Sequence, residues 1–350
     1  MTLSNRKILR TLLCLLAGTL YAVCLSACDA KEPLSENRDA EIESPVIAND
    51  LSNQKVTAIA EDTQGHIWIG TFRGLNKNNV HDYHQYFCTD DSLGLPDNQI
   101  THLLRDSKNR FWVGTVNGVC LYTDKDNFRI IPIEADNKNV RQILEDRNGR
   151  IFLNTGFQLY AYHPREEKIT CVLPEISPGN AFYAQCHIAP DNNLWVMTST
   201  GLRCYDPSTL QLKESVALSG YPYYSYLHNN ELWITGNHTL SIFDTRTHSF
   251  KPLPQPIAHN TTLCNADIDY IHPYGNNGLL LNTARHGMFY YNPGTGSVTR
   301  QDENGFPFEM PRFRISRMFT DSQQNLWIGS VDQGYTVCYH YKERFNNDNC

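Results

Sequence analysis

Apolar and polar residues alternate in short runs along most of this chain. VTAIAE (56–61), HIWIGT (66–71), LNKNN (75–79) and HQYFC (84–88) follow one another across the polar breaks DTQG and FRG. ITHLLR (100–105), RFWVGT (110–115), VCLYT (119–123) and NFRII (127–131) repeat the order, with DSKN and VNG as breaks. Period-two alternation over four to six residues, bounded by Asp, Asn and Gly, predicts strands joined by hairpins. Aligning the runs on their central aromatic gives seven units, anchored at Trp68, Trp112, Phe152, Trp195, Trp233, Leu280 and Trp327. Four short strands in each unit of roughly 43 residues is the pattern of a propeller blade. The expected fold is all-β: a seven-bladed β-propeller of four-stranded antiparallel blades over 44–346.

One phrase recurs nearly unchanged: EDTQGHIWIGT (61–71), RDSKNRFWVGT (105–115) and TDSQQNLWIGS (320–330). Asp62, Asp106, Asp146 and Asp321 each stand six residues before an anchor. Aspartate accepts from nearby backbone amides and so starts turns. Gly65, Asn109 and Gly149 stand three residues before it, where a hairpin needs positive φ. The anchor tryptophans Trp68, Trp112, Trp195, Trp233 and Trp327 are expected to pack between neighbouring sheets. Gly70, Gly114 and Gly329 fit a crowded strand end near the axis. Each residue of the phrase has a folding role, and none is assigned to catalysis. Ring closure is expected from SPVIAND (44–50), with YKERFN (341–346) as competitor.

Residues 1–27 break the pattern. Arg6, Lys7 and Arg10 make a basic start to the apolar run ILRTLLCLLAGTLYAVC, and small residues then lead to Cys28. This is an export signal. It resembles a bacterial lipoprotein signal, which implies cleavage before Cys28 and a lipid on it. Residues 28–43 read as a linker and 347–350 as a tail. The expected location is the periplasm or the outer membrane or cell surface, lipid-anchored, with that anchor as the sole membrane contact.

The chain is 350 residues long, with 41% apolar and 19% charged residues and a formal net charge of −7. It becomes more acidic once the three basic residues of the signal are removed. No basic stripe is present, so nucleic acid is not an expected partner. Beyond Cys14, Cys24 and Cys28, eight cysteines remain without a C-x-x-C pair. Cys120, Cys204 and Cys338 share one place in their repeats, as small buried strand residues.

Motifs for nucleophilic, phosphate or zinc chemistry, such as G-x-S-x-G or H-E-x-x-H, do not occur. No metal, no cofactor and no catalytic residue is expected. His81-Asp82-Tyr83-His84 reads as a solvated hairpin between strands. Asp267-x-Asp269 falls on an inner strand, where alternation would point both carboxylates one way. Oligosaccharide binding needs aromatic platforms and planar polar groups. The rim loops between second and third strands offer Phe72, Arg73, Asn117, Asn237, His238, Arg285, His286, Asp332 and Gln333. The stretches leading into inner strands add Tyr221, Tyr223, Tyr224, Arg312 and Arg314.

The spelling D-x-x-G-x-[IL]-W-[IV]-G-T-x-x-G-L, clearest at 56–75, 100–118 and 315–330, resembles the two-component regulator propeller repeat. That resemblance implies the periplasmic sensor region of a hybrid histidine kinase, detecting glycans. Family members join two propellers to a β-sandwich, a membrane span and a kinase; this chain has seven units, so one propeller, and no kinase motif. Histidine kinase activity would need a further C-terminal part, and a second propeller, a β-sandwich or a kinase subunit are the implied partners. The expected function is non-catalytic recognition of an oligosaccharide. The alternatives are a propeller lyase or glycoside hydrolase using rim carboxylates and histidines, and a protein-binding scaffold.

Overall fold

A computed structural model describes residues 50–79, 82–89, 94–123, 125–176 and 184–340. The export signal with Cys28, the linker, the tail, His81 and both candidate closing strands (Asp50 apart) lie outside the described residues.

Seven antiparallel sheets follow one another, each a meander in sequence order. Their innermost strands are Val56–Glu61, Ile100–Arg105, Gln142–Glu145, Gln185–Ile188, Pro222–His228, Ile268–Tyr274 and Ile315–Thr320. Six sheets have four strands, and the seventh has three among the described residues, Ile315–Thr320, Leu326–Ser330 and Tyr335–Cys338. Each innermost strand touches the next, and the last touches the first, so the blades form a ring. This is the expected seven-bladed β-propeller.

The apolar core is divided into seven clusters, one at each junction between neighbouring blades. Between blades one and two, Trp68, Leu75 and Tyr86 meet Ile100, Phe111 and Phe128. Between blades seven and one, Trp327 and Tyr335 meet Val56, Ile67 and Ile69. A sheet covered on both faces needs apolar residues on both sides of its central strands. Accordingly IWIGT, FWVGT, LWVMT and LWIGS are buried at every position.

The recurring aspartate does more than start a turn. Asp106 Oδ1 accepts from the Lys108 and Arg110 amides (3.0 and 2.9 Å), and Oδ2 accepts from Trp112 Nε1 (2.8 Å). Asp62 and Asp321 hold Trp68 and Trp327 in the same way, each at 2.9 Å. In blade three the anchor is Phe152, and Asp146 Oδ2 accepts from Arg150 Nε instead (2.7 Å). One carboxylate therefore ties the hairpin to the indole that fills the core. Burial pushes the Asp62 carboxyl up, but the Trp68 indole and the His66 and Gln64 amides outweigh it and hold it below its usual range. Blades four and five carry Ala189 and Leu227 at this position, and Trp195 Nε1 and Trp233 Nε1 have no protein acceptor among the described residues.

The expected positive φ occurs at Gly65, Asn109 and Gly149, and also at Asn192 and Gln324. Gly70 and Gly329 are constrained by a neighbouring blade rather than by the axis. A Cβ on Gly70 would lie 2.5 Å from Ile100 Cγ2, and one on Gly329 would lie 2.6 Å from Val56 Cγ1. The hairpins also clasp one another. Ser107 N and Oγ donate to Glu145 (2.8 and 2.5 Å), and Ser322 N and Oγ donate to Glu61 across the seven–one junction (2.7 and 2.6 Å). The junction that completes the ring thus uses the same bond as an internal one.

Three local expectations shift. The outermost strand of blade one is Asp82–Tyr86, two residues earlier than HQYFC, so Tyr83 and His84 are strand residues rather than part of a hairpin. GYPYYSY is not an inter-blade stretch; Pro222–His228 is the inner strand of blade five. LPQPIAHN (253–260), whose prolines and asparagine read as a turn between units, forms no simple turn. Short helices at Gln255–Ala258 and Thr261–Cys264 plug Ile257 and Leu263 into the five–six core, the second capped by Asn260 Oδ1 accepting from Leu263 N (2.9 Å). Cys120 and Cys204 are buried and Cys338 half-buried; burial raises the Cys204 thiol to about 11 and the Cys338 thiol to about 12. Cys120, Cys171, Cys186, Cys204, Cys264 and Cys338 are free thiols.

Candidate functional site

Antiparallel order places the start of each innermost strand on the same face as the turn between the second and third strands. In blades one, two, four and six this turn is closed by a buried hydroxyl. Thr71, Thr115 and Thr283 donate to the carbonyls of Gly74, Gly118 and Gly287 (2.8, 2.9 and 2.7 Å). The same hydroxyls accept from the amides of Arg73, Asn117 and His286 (3.1, 3.2 and 2.9 Å). The backbone of these rim positions is thereby fixed while their side chains stay exposed.

The predicted binding residues share this face but not one cavity. Phe72 is 46% exposed, with Lys55 Nζ 4.6 Å from its ring centroid. Arg73 and Asn117 sit in the turns of blades one and two. His238 is anchored by its amide donating to Asp267 Oδ1 (3.1 Å) and by Nδ1 at 2.8 Å from the Asn265 carbonyl. His286 lies beside Arg285 in the blade-six turn. By contrast, Arg285, Arg312, Arg314 and Asp332 line a single rim cavity of about 490 Å³ between blades six and seven, together with Phe313 and Gln333. Asp332 Oδ1 accepts from Ser330 Oγ (3.1 Å).

Beneath it runs an axial cavity of about 700 Å³, lined by all seven innermost strands. Five of those strands carry a register shift at their second residue: Thr57, Thr101, Tyr223, Asp269 and Ser316. Such a bulge inserts one residue that has no partner in the ladder and re-aims its side chain. Thr57, Thr101, Tyr223 and Asp269 line the axial cavity. Asp267 stands just ahead of the inner strand rather than on it, and Asp269 is the bulged residue. Asp267 meets His238, whereas Asp269 Oδ1 accepts from Asn282 Nδ2 (2.6 Å) and lines both cavities. Burial raises the Asp269 carboxyl above its usual range, against the Asn282 bond and the Arg314 charge.

The tyrosines of blade five divide their roles. Tyr223 faces the axial cavity beside Thr57, whose buried hydroxyl bonds no group among the described residues. Tyr224 lies between the backbone carbonyl and amide of Ile271 in blade six (3.4 and 3.3 Å). Sequence reasoning missed the channel histidines. His187 Nε2 lies 2.8 Å from Ser225 Oγ, and His272 Nε2 lies 2.9 Å from Thr320 Oγ1. Burial lowers both imidazoles to about 4, and burial with the Arg317 charge does the same to His102. No group of three metal-ligating side chains occurs among the described residues.

Residues 50–73 and 94–117 match the family of the two component regulator propeller, the repeat read from the sequence. No curated protein matches the chain. Among solved structures, the chain is similar to the extracellular domain of BT3049 from B. thetaiotaomicron, described as part of a hybrid two component system. Identity is 20% and the TM-score 0.68, over 85% of this chain and 41% of that one. The extracellular domain of BT4673 from the same organism, described as part of a one component system, gives 21% identity and a TM-score of 0.65, over 84% and 40%. This chain therefore spans about two fifths of those domains. Virginiamycin B lyase from Staphylococcus aureus gives 14% identity and a TM-score of 0.62, over 84% and 97%. At these identities the likeness is one of fold.

Proposed function

We propose that this chain, built of two-component regulator propeller repeats, is an exported recognition module that binds an oligosaccharide on the face where the innermost strands begin, without catalysis. One observation carries the reading: four rim residues picked for sugar chemistry, Arg285, Arg312, Arg314 and Asp332, line one cavity. Phe313 offers an apolar face there, and the guanidiniums offer planar donors for hydroxyls and carboxylates. The likeness to extracellular domains of signalling systems supports a sensing role, in which ligand shifts the relation of this propeller to a signalling partner. The partner is a second propeller, a β-sandwich or a kinase subunit. The signal-like N-terminus and Cys28 support a location in the periplasm or on the outer membrane or cell surface, held by lipid. Among the described residues no helix is long and apolar enough to cross a membrane.

The test is a glycan array on the purified chain, followed by calorimetry and product analysis of each hit. Binding without turnover is the expected result. An array without hits refutes the recognition role, and turnover moves the chain to the lyase or hydrolase class.

A further inference from the structure

The two cavities invert the charge of the molecule around them. The chain carries a formal net charge of −7. Yet the rim cavity presents Arg285, Arg312 and Arg314, and the axial cavity presents Arg141 and Arg317, against Asp269 and Asp332 as the lining carboxylates. Five guanidiniums face two acids, with no lysine and no glutamate in either wall. Arg285, Arg312 and Arg314 form no ion pair among the described residues, whereas Arg110, Arg129, Arg150 and Arg300 are each paired with a carboxylate. A concave site of one sign within a molecule of the other focuses its field and concentrates ligands of opposite charge. The planar fork of arginine matches a carboxylate in two parallel bonds.

The axial side has a different chemistry. Thr57 turns a buried hydroxyl without a protein partner toward it, Tyr223 adds a phenol hydroxyl, and Asp269 and Asn282 stand at the junction of the two spaces. Buried polar groups of this kind are normally bonded. Each cavity is within the size range of small-molecule sites.

We infer that the ligand is an acidic oligosaccharide: its carboxylate lies on Arg285, Arg312 and Arg314 at the rim, and its neighbouring neutral sugar reaches past Asp269 into the axial cavity. This rests on the proposed recognition role and goes beyond it by fixing ligand charge and orientation. The site selects for a carboxylate-bearing sugar because the rim offers guanidiniums in excess. It selects for a hydroxyl-bearing neighbour because the channel mouth offers hydrogen-bonding groups in a confined space.

The test uses the full chain and an array of short galacturonate- and glucuronate-containing oligosaccharides beside neutral galactans, glucans and xylans. The hits are uronides, and the strongest is carried into calorimetry. Arg312→Gln with Arg314→Gln weakens it at least about tenfold with an unchanged melting temperature, and raising salt from 50 to 300 mM weakens it further. Thr57→Val with Tyr223→Phe weakens the uronide but leaves competition by free glucuronate unchanged. Neutral sugars binding as tightly as uronides would overturn the acidic inference while leaving the recognition role standing. Uronide binding indifferent to the arginine pair overturns the assigned site. Inorganic sulfate competing as strongly as the uronide overturns the sugar half of the inference. An array with no hits refutes the recognition role itself.

Discussion

Removing the Asp106 carboxylate is expected to unfasten a hairpin from the core it supports. In Asp106→Ala, the Lys108 and Arg110 amides and the Arg110 guanidinium lie at the hairpin edge and regain water. Trp112 Nε1 cannot, because the indole is fully buried. Hydrogen bonds to a charged acceptor contribute about 1.5–3 kcal/mol each, and a buried unpaired donor costs about 1–3 kcal/mol. With three of the four donors rehydrated, the expected loss is about 2–4 kcal/mol. For a domain of this size that corresponds to a fall in melting temperature on the order of 3–7 °C. Thermal unfolding followed by tryptophan fluorescence reads it. A double-mutant cycle isolates the indole bond: Asp106→Ala and Trp112→Phe should couple by about 1–2 kcal/mol. Trp195→Phe in blade four, where Ala189 replaces the aspartate, supplies the comparison without such a bond. If Asp106→Ala melts within about 2 °C of the parent, or if the cycle shows no coupling, the carboxylate–indole tie is not what holds the hairpin.

Three further outcomes are expected. Ala189→Asp restores the missing acceptor in a hairpin with the same backbone bonds, and should raise stability by about 1 kcal/mol in denaturant titrations. Gly70→Ala drives a Cβ against Ile100, and should cost about 1–3 kcal/mol, part of which Ile100→Ala recovers in the double variant. The third concerns acid. His102, His187 and His272 titrate near 4 in the fold against 6.5 when unfolded, so the unfolded chain binds more protons between these values. Stability should therefore be flat in these groups above about pH 7 and fall progressively as pH drops from 6.5 through about 4. His187→Gln should flatten that slope, and an unaltered slope refutes the assignment.

The repeat phrase made the fold legible because every blade solves the same problem with the same side chains. Asp, the positive-φ residue and the tryptophan recur at fixed offsets, and their spacing is a local matter of one hairpin. The carboxylate–indole bond was hidden because it links positions six apart whose contact depends on how the hairpin folds over. The register of the inner strands was less legible. A bulge adds one residue without altering composition, so strict alternation could not foresee that Asp267 precedes its strand and Asp269 sits at the bulge. Tyr223 and Tyr224 were visible as aromatics, but that both line the channel and that Tyr224 also latches onto Ile271 depended on the bulge of the blade-five strand. The rim arginines could be picked individually. That Arg285 shares a cavity with Arg312 and Arg314 required the closed geometry of blades six and seven.

The bulged positions of the innermost strands carry a consequence for how such a protein can change over time. Each contributes a residue that the ladder does not use, so its side chain answers to the channel more than to the sheet. Here those that line the channel read Thr57, Thr101, Tyr223 and Asp269: three kinds of side chain on one shared scaffold. Substitution at these places alters what the channel can hold while leaving the carboxylate–indole ties and the seven inter-blade cores intact. Descendants of this ring could therefore diverge in what they recognise through a handful of independent, low-cost exchanges, with no need to redesign a blade.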